Sequence, residues 1–219
     1  MSTDEARRRA EQSLSNLHVP LGKVSTSSVN VLTILLDLSE RDSIADAMKA
    51  KDSINEIARS ISELPISSDT FIAVYALNKG VLREFTPAEE FLPLTEDEMT
   101  CKVALSPLYH GIDLCVDQCT MNRMSLELCG FEVIAALVCF AGSRTHDARF
   151  DEFFGSTSLS SLREKLQSFL PKYGRSRLAG IGIGEHAAAE FARYGFPADT
   201  IHPITNATQA ATEFFVTFS

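Results

Sequence analysis

Two nearly unbroken apolar runs constrain this chain more than anything else in it: residues 31–36 (VLTILL) and residues 131–140 (FEVIAALVCF). A strand with one wet face alternates apolar and polar residues, whereas a strand covered on both faces reads as a continuous apolar stretch. Both runs therefore predict buried strands, with residues 131–140 near the sheet centre. Helical stripes lie between and after them. Ile44, Met48, Ile54, Ile57, Ile61 and Leu64 mark one stripe, closed by Pro65, and Leu159, Leu162, Leu166 and Leu170 mark another.

The remaining pattern keeps alternating. Residues 70–77 and 81–85 read as strands joined by the turn residues Asn78-Lys79-Gly80, which predicts a hairpin and hence an antiparallel edge. Residues 86–105 form a long acidic connection with room for a short helix. Ser106-Pro107-Leu108 then opens a helix, since Ser is a favoured cap and Pro suits the first helical position. Strands at 178–183 and 200–204 and helices at 185–194 and 206–218 complete the series. The expected fold is α/β: a doubly wound, mostly parallel six-stranded sheet with one antiparallel edge strand and helices on both faces. Residues 2–17 read as a polar helix with Ser2 and Glu5 at capping-box spacing, and residues 25–28 as a Ser/Thr linker. That divides the chain into an N-terminal helix and linker, 1–29, and a domain, 30–219. Leu14, Leu17, Val19 and Leu21 are placed to cover a sheet edge or to dock a neighbour.

At 219 residues the domain buries roughly 70% of its unfolded surface without a metal or disulfide staple. The net charge of −9 argues against nucleic acid as partner, and Arg7-Arg8-Arg9 sits among Asp4, Glu5 and Glu11 as a solvated helix face. No run approaches the ~20 apolar residues of a membrane span, and the polar amino terminus lacks a signal-peptide core. A cytoplasmic location is the expectation. The 5 cysteines lack CxxC spacing, which fits reduced thiols; Cys115 and Cys119 share a helix face with Leu108, Ile112 and Val116 and are expected in the core. The histidines form no ligand pair and are expected at the surface, with His110 and His146 near the crevice at the strand ends.

The first strand ends in Asp37-Leu38-Ser39, where open α/β sheets keep their ligand sites. After that come the hairpin, the Ser106-Pro107-Leu108-Tyr109 helix start, an apolar strand ending at Ala141-Gly142, the run Ala179-Gly180-Ile181-Gly182-Ile183-Gly184, and Glu213-Phe214-Phe215. In this order they resemble the von Willebrand factor A (VWA) family over residues 30–219, and within it the carboxyl third is most similar to bacterial TerY-type proteins of tellurium-resistance and stress-response systems. The resemblance implies a metal-ion-dependent adhesion site of the form Asp-x-Ser-x-Ser, joined by a Thr at a later helix start and an Asp after the fourth strand. Such a set suits Mg²⁺, which takes hard oxygen ligands in octahedral geometry. Asp37 and Ser39 match, and Ser106 replaces the Thr. Arg41 stands where the second Ser belongs, and Ala141 where the Asp belongs.

A guanidinium does not deprotonate, and at ~5 Å with an effective dielectric near 20 it opposes a dication by roughly 7 kcal/mol. The site is therefore expected to be degenerate, with no cofactor. Arg41 either takes over the ion's charge, pairing with Asp37 or offering a fork to a partner's acid, or simply points into solvent. The partner-binding set expected at the crevice is Arg41, Asp42, Tyr109, His110, His146 and Asp147. The function implied is a non-enzymatic protein-binding adaptor, with a kinase and a metal-dependent phosphatase as the partners suggested by TerY-type gene neighbourhoods. Two alternatives stand beside it. One retains Mg²⁺ through Asp37, Ser39 and Ser106, with Asp147 or Glu185 supplying a carboxylate. The other binds a nucleotide through Gly182 and Gly184, which open a G-x-G-x-x-A pattern, although Glu185 opposes a pyrophosphate there. No G-x-S-x-G elbow is present for a hydrolase, and no catalytic residue is assigned.

Overall fold

A computed structural model describes residues 18–20, 27–37, 44–77, 79–100, 108–142, 159–170, 175–184 and 186–216. The strands are β1 (Ser28–Leu36), β2 (Thr70–Ala76), β3 (Gly80–Pro87), β4 (Glu132–Ala141), β5 (Ser176–Gly182) and β6 (Ile201–Pro203). The helices are α1 (Ile44–Ser62), α2 (Leu108–Leu128), α3 (Leu159–Phe169), α4 (Ala187–Tyr194) and α5 (Ala207–Val216). The strands form one six-stranded sheet in the order β3-β2-β1-β4-β5-β6. All neighbours are parallel except β2 and β3, which are antiparallel. The predicted α/β architecture with one antiparallel edge is the observed one.

The period-two geometry of β1 explains why its sequence is apolar throughout. Leu32, Ile34 and Leu36 face a core built with α1 and α5, while Val29, Val31 and Leu35 face a core built with α2, α3 and α4. On the first face Ile54, Ile57 and Ile61 of α1 are wholly buried against the sheet. Each such side chain contributes about 1.5–3 kcal/mol through removal from water.

Several details differ from the sequence reading. Ser28, expected in a linker, is the first residue of β1. Ile44, expected on the apolar stripe, is 77% exposed, because the buried face of α1 begins at Ala47 and the first turn projects past the sheet. Val19 packs in the core against α2, beside Leu126, rather than along a sheet edge. The segments expected as an N-terminal helix (2–17) and as the polar loop 143–157 lie outside the described residues.

The acidic connection after β3 contains two single turns of 3₁₀ helix, Ala88–Glu90 and Asp97–Met99. Arg83 of β3 holds this strap: its Nε donates to the Leu92 carbonyl at 2.7 Å, its Nη2 to Pro93 at 2.8 Å, and its Nη1 pairs with Glu98 at 2.5 Å. From α1, Asn55 donates to the Leu94 carbonyl at 3.1 Å and accepts from the Leu94 amide at 2.7 Å, a side-chain imitation of a strand pair. The strap thus climbs beside α1 toward the carboxyl end of the sheet. At the two edges, β6 is a three-residue strand ending in Pro203, and β3 carries two register shifts against β2. Among the described residues no helix is long and apolar enough to cross a membrane.

Candidate functional site

The strand order reverses between β1 and β4, so their carboxyl ends define the switch-point crevice of an open α/β sheet. The Asp37 amide donates to the Phe140 carbonyl at 2.9 Å, extending the β1–β4 pairing one residue past Leu36 and setting Asp37 level with Ala141. On the other side the Leu77 amide donates to the Leu36 carbonyl at 2.8 Å, and beyond β4 the Ile183 amide donates to Ala141 at 3.0 Å. Three strand ends are thereby locked in a row around Asp37, which is only 2% exposed.

The first turn of α2 closes over this row. Gly111 lies so near Leu77 that a Cβ there would fall 2.4 Å from Leu77 Cδ2. This close approach carries Leu108, Tyr109 and His110 to the same end of the sheet as Asp37, all of them buried. His110 is therefore corrected from its expected surface position. It is 5% exposed, because α2 is enclosed on every side from Leu108 to Asp113. Ser39, Arg41, Asp42, Ser106, His146 and Asp147 lie outside the described residues, so of the expected site the structure brings together Asp37, Ala141, Tyr109 and His110.

As a metal cradle the described part fits poorly. The strand ends beside Asp37 present Leu77, Ala141 with Gly142, and Gly182 with Ile183 and Gly184, none of which carries a carboxylate. A divalent ion needs several hard oxygen donors. Among the described residues no group of three or more His, Cys, Asp or Glu side chains is arranged to hold a metal. Where the family pattern has an acid, Ala141 offers a buried methyl group.

The glycines of β5 have a packing reason. A Cβ on Gly180 would come within 2.7 Å of the Phe191 ring, and one on Gly182 within 3.1 Å of the Ala187 Cβ. They let α4 lie directly on the sheet, and Gly184 accepts the Ala187 amide at 3.2 Å in the turn between them.

Beneath the crevice, on the α2 face, Cys115, Cys119 and Cys139 are buried, as expected for the first two. Burial pushes the Cys119 thiol up to about 11, and burial with the neighbouring thiols raises Cys115 and Cys139 well above the usual range. These thiols are packing groups at neutral pH. Sequence reading missed the Arg83–Glu98 latch. Its one visible signal was the acidic run Glu96-Asp97-Glu98, set an unknowable distance in space from an arginine on an edge strand.

No family model matches the sequence, and no curated protein matches it. Solved structures do share the fold. The pilus adhesin SpaC of Lactobacillus rhamnosus GG, in its open conformation, aligns with 90% of this chain at a TM-score of 0.59 and 7% identity. Manganese-loaded TRAP protein of Plasmodium vivax aligns with 87% at 0.54 and 14%, and proximal thread matrix protein 1 of the mussel byssus with 87% at 0.52 and 13%. This chain spans 31% of the SpaC chain, 46% of the mussel protein and 74% of the TRAP chain. Together with the sheet order, these likenesses define the class of the fold, a VWA-like α/β domain.

Proposed function

We propose that this chain is a non-enzymatic protein-binding module that docks a partner at the sheet-top crevice, with its adhesion-type metal site degenerate. The observation that carries the reading is the placement of Asp37 level with Ala141 at the switch point: the position is that of a ligand site, and the second carboxylate is replaced by a methyl group. The pilus adhesin among the structural neighbours supports a binding role. In this reading Arg41 and Asp42, with His146 and Asp147, supply the partner-facing charges. Tyr109 and His110 form the buried support on which the crevice rests. Arg41 does the ion's work by presenting a guanidinium to a partner's carboxylate.

TRAP was loaded with manganese, and that favours one second reading, in which Asp37, Ser39 and Ser106 still hold a divalent ion. The partners to try first are the kinase and phosphatase of the TerY-type resemblance. Titration calorimetry with each would compare the full chain, Arg41→Ala and Asp37→Asn, with and without chelator. The adaptor reading expects at least tenfold weaker binding by both variants and no effect of chelator. Binding abolished by chelator would establish the metal-dependent reading instead, and binding indifferent to all three changes would overturn both.

A further inference from the structure

A second recess opens at the carboxyl end of the sheet, between the start of α1 and the strap. It has a volume of about 220 Å³ and lies between the first turns of α1, with Ile44, Ala47 and Met48, and the top of the strap, with Glu96, Asp97 and Met99. Small-molecule sites usually enclose ~300–1,000 Å³, so this recess suits a single apolar side chain rather than a cofactor. Its apolar wall ends in Ile44, one of the most exposed large aliphatic residues described, at 77%. Its strap wall is acidic.

The acids have divided roles. Glu98 turns inward onto Arg83 and onto the Thr95 amide. Glu96 and Asp97 are exposed, and no cation among the described residues pairs with either carboxylate. Of the nearby lysines, Lys49 on α1 is engaged by Asp46 at 3.1 Å and Lys79 donates to the Glu98 carbonyl at 2.7 Å, while Asp46 also offsets the partial positive charge of the helix start. The recess is thus apolar at its floor and negative at its rim.

We propose that this recess is a second docking site, which takes an aliphatic or aromatic side chain flanked by lysine or arginine from a partner polypeptide. The apolar side chain is buried against Ile44, Met48 and Met99, and the flanking cation is drawn to Glu96 and Asp97. The site stands independently of the crevice and holds whether or not the crevice binds anything.

Methionine placement supplies the test, because Met48 and Met99 line the recess while Met121 and Met124 are exposed on α2. The full chain, labelled with ¹³C-methyl methionine, would be titrated with acetylated, amidated Lys-Phe-Lys and separately with Glu-Phe-Glu. The expected result is a saturable shift of the Met48 and Met99 methyl resonances with Lys-Phe-Lys only, while Met121 and Met124 stay still. Glu96→Lys with Asp97→Lys changes two exposed side chains and is expected to weaken the response at least fivefold. Three results would overturn the proposal: no shift at millimolar peptide, an equal response to both peptides, or Met48 and Met99 shifts that follow protein dilution without peptide. The last would mean that a second copy of the chain fills the recess.

Discussion

The amide of Asp37 and the carbonyl of Phe140 meet at 2.9 Å, and this one bond fixes where the acid at the end of β1 stands relative to β4. It also decides what faces the acid, which is Ala141. Metal addition tests the consequence. The melting temperature of the native chain is expected to be unchanged by Mg²⁺ or Mn²⁺. Ala141→Asp combined with Arg41→Ser is expected to gain metal-dependent stability, about 2.7 kcal/mol when the ion is a hundredfold above its Kd. Thermal shift with and without chelator reads both.

The latch between Arg83 and Glu98 carries a pH dependence. The Arg83 guanidinium, helped by Thr95, brings the Glu98 carboxyl from 4.5 down to about 2. A carboxyl lowered in the folded state contributes its full stability above the unfolded value and loses it as pH falls through the folded one. Glu98→Gln is therefore expected to cost about 1 kcal/mol near neutrality, the modest figure reflecting solvent screening. The difference should shrink to nothing between about pH 4.5 and pH 2, as followed by urea denaturation across that range.

Gly180 should not tolerate a methyl group. Its missing Cβ position lies 2.7 Å from the Phe191 ring, so Gly180→Ala forces α4 off β5. Overpacking of this kind costs about 1–3 kcal/mol. Chemical denaturation is expected to show that loss, and equal stability would mean that α4 lifts freely.

The thiols should divide by burial. In a Cys101→Ser background, Cys129 is exposed and is expected to react promptly with a thiol reagent. Cys115, Cys119 and Cys139 are buried with raised pKa values and should react only as the chain unfolds.

The sheet was readable in the sequence because burial on two faces leaves little room for polar residues in β1 and β4, and because Asn78-Lys79-Gly80 marks the β2–β3 hairpin. Helix spacing located α1 and α3 for the same reason. Ile44 and His110 went the other way. Periodicity records which side of a helix a residue occupies, but not where the neighbouring layer stops. Ile44 therefore overshoots the core, while His110 is enclosed by contacts from elements far away in sequence. The candidate site was legible as far as Asp37 and Ala141, which are strand-end positions. The Arg83 latch and the recess beside Met99 depend on how a nonrepetitive strap folds back, and no local pattern encodes that path.

The sheet margins described above also limit how this protein can be engaged. A peptide that joins a sheet as an extra strand needs a long, regular run of free backbone donors and acceptors. Here one margin is three residues long and stops at Pro203, and the other is broken in register and carries Arg83, a charge committed to the strap. Backbone-templated recruitment, including the runaway stacking that leads to fibres, is thereby discouraged at both ends. Recognition is left to side chains, where sequence can choose the partner.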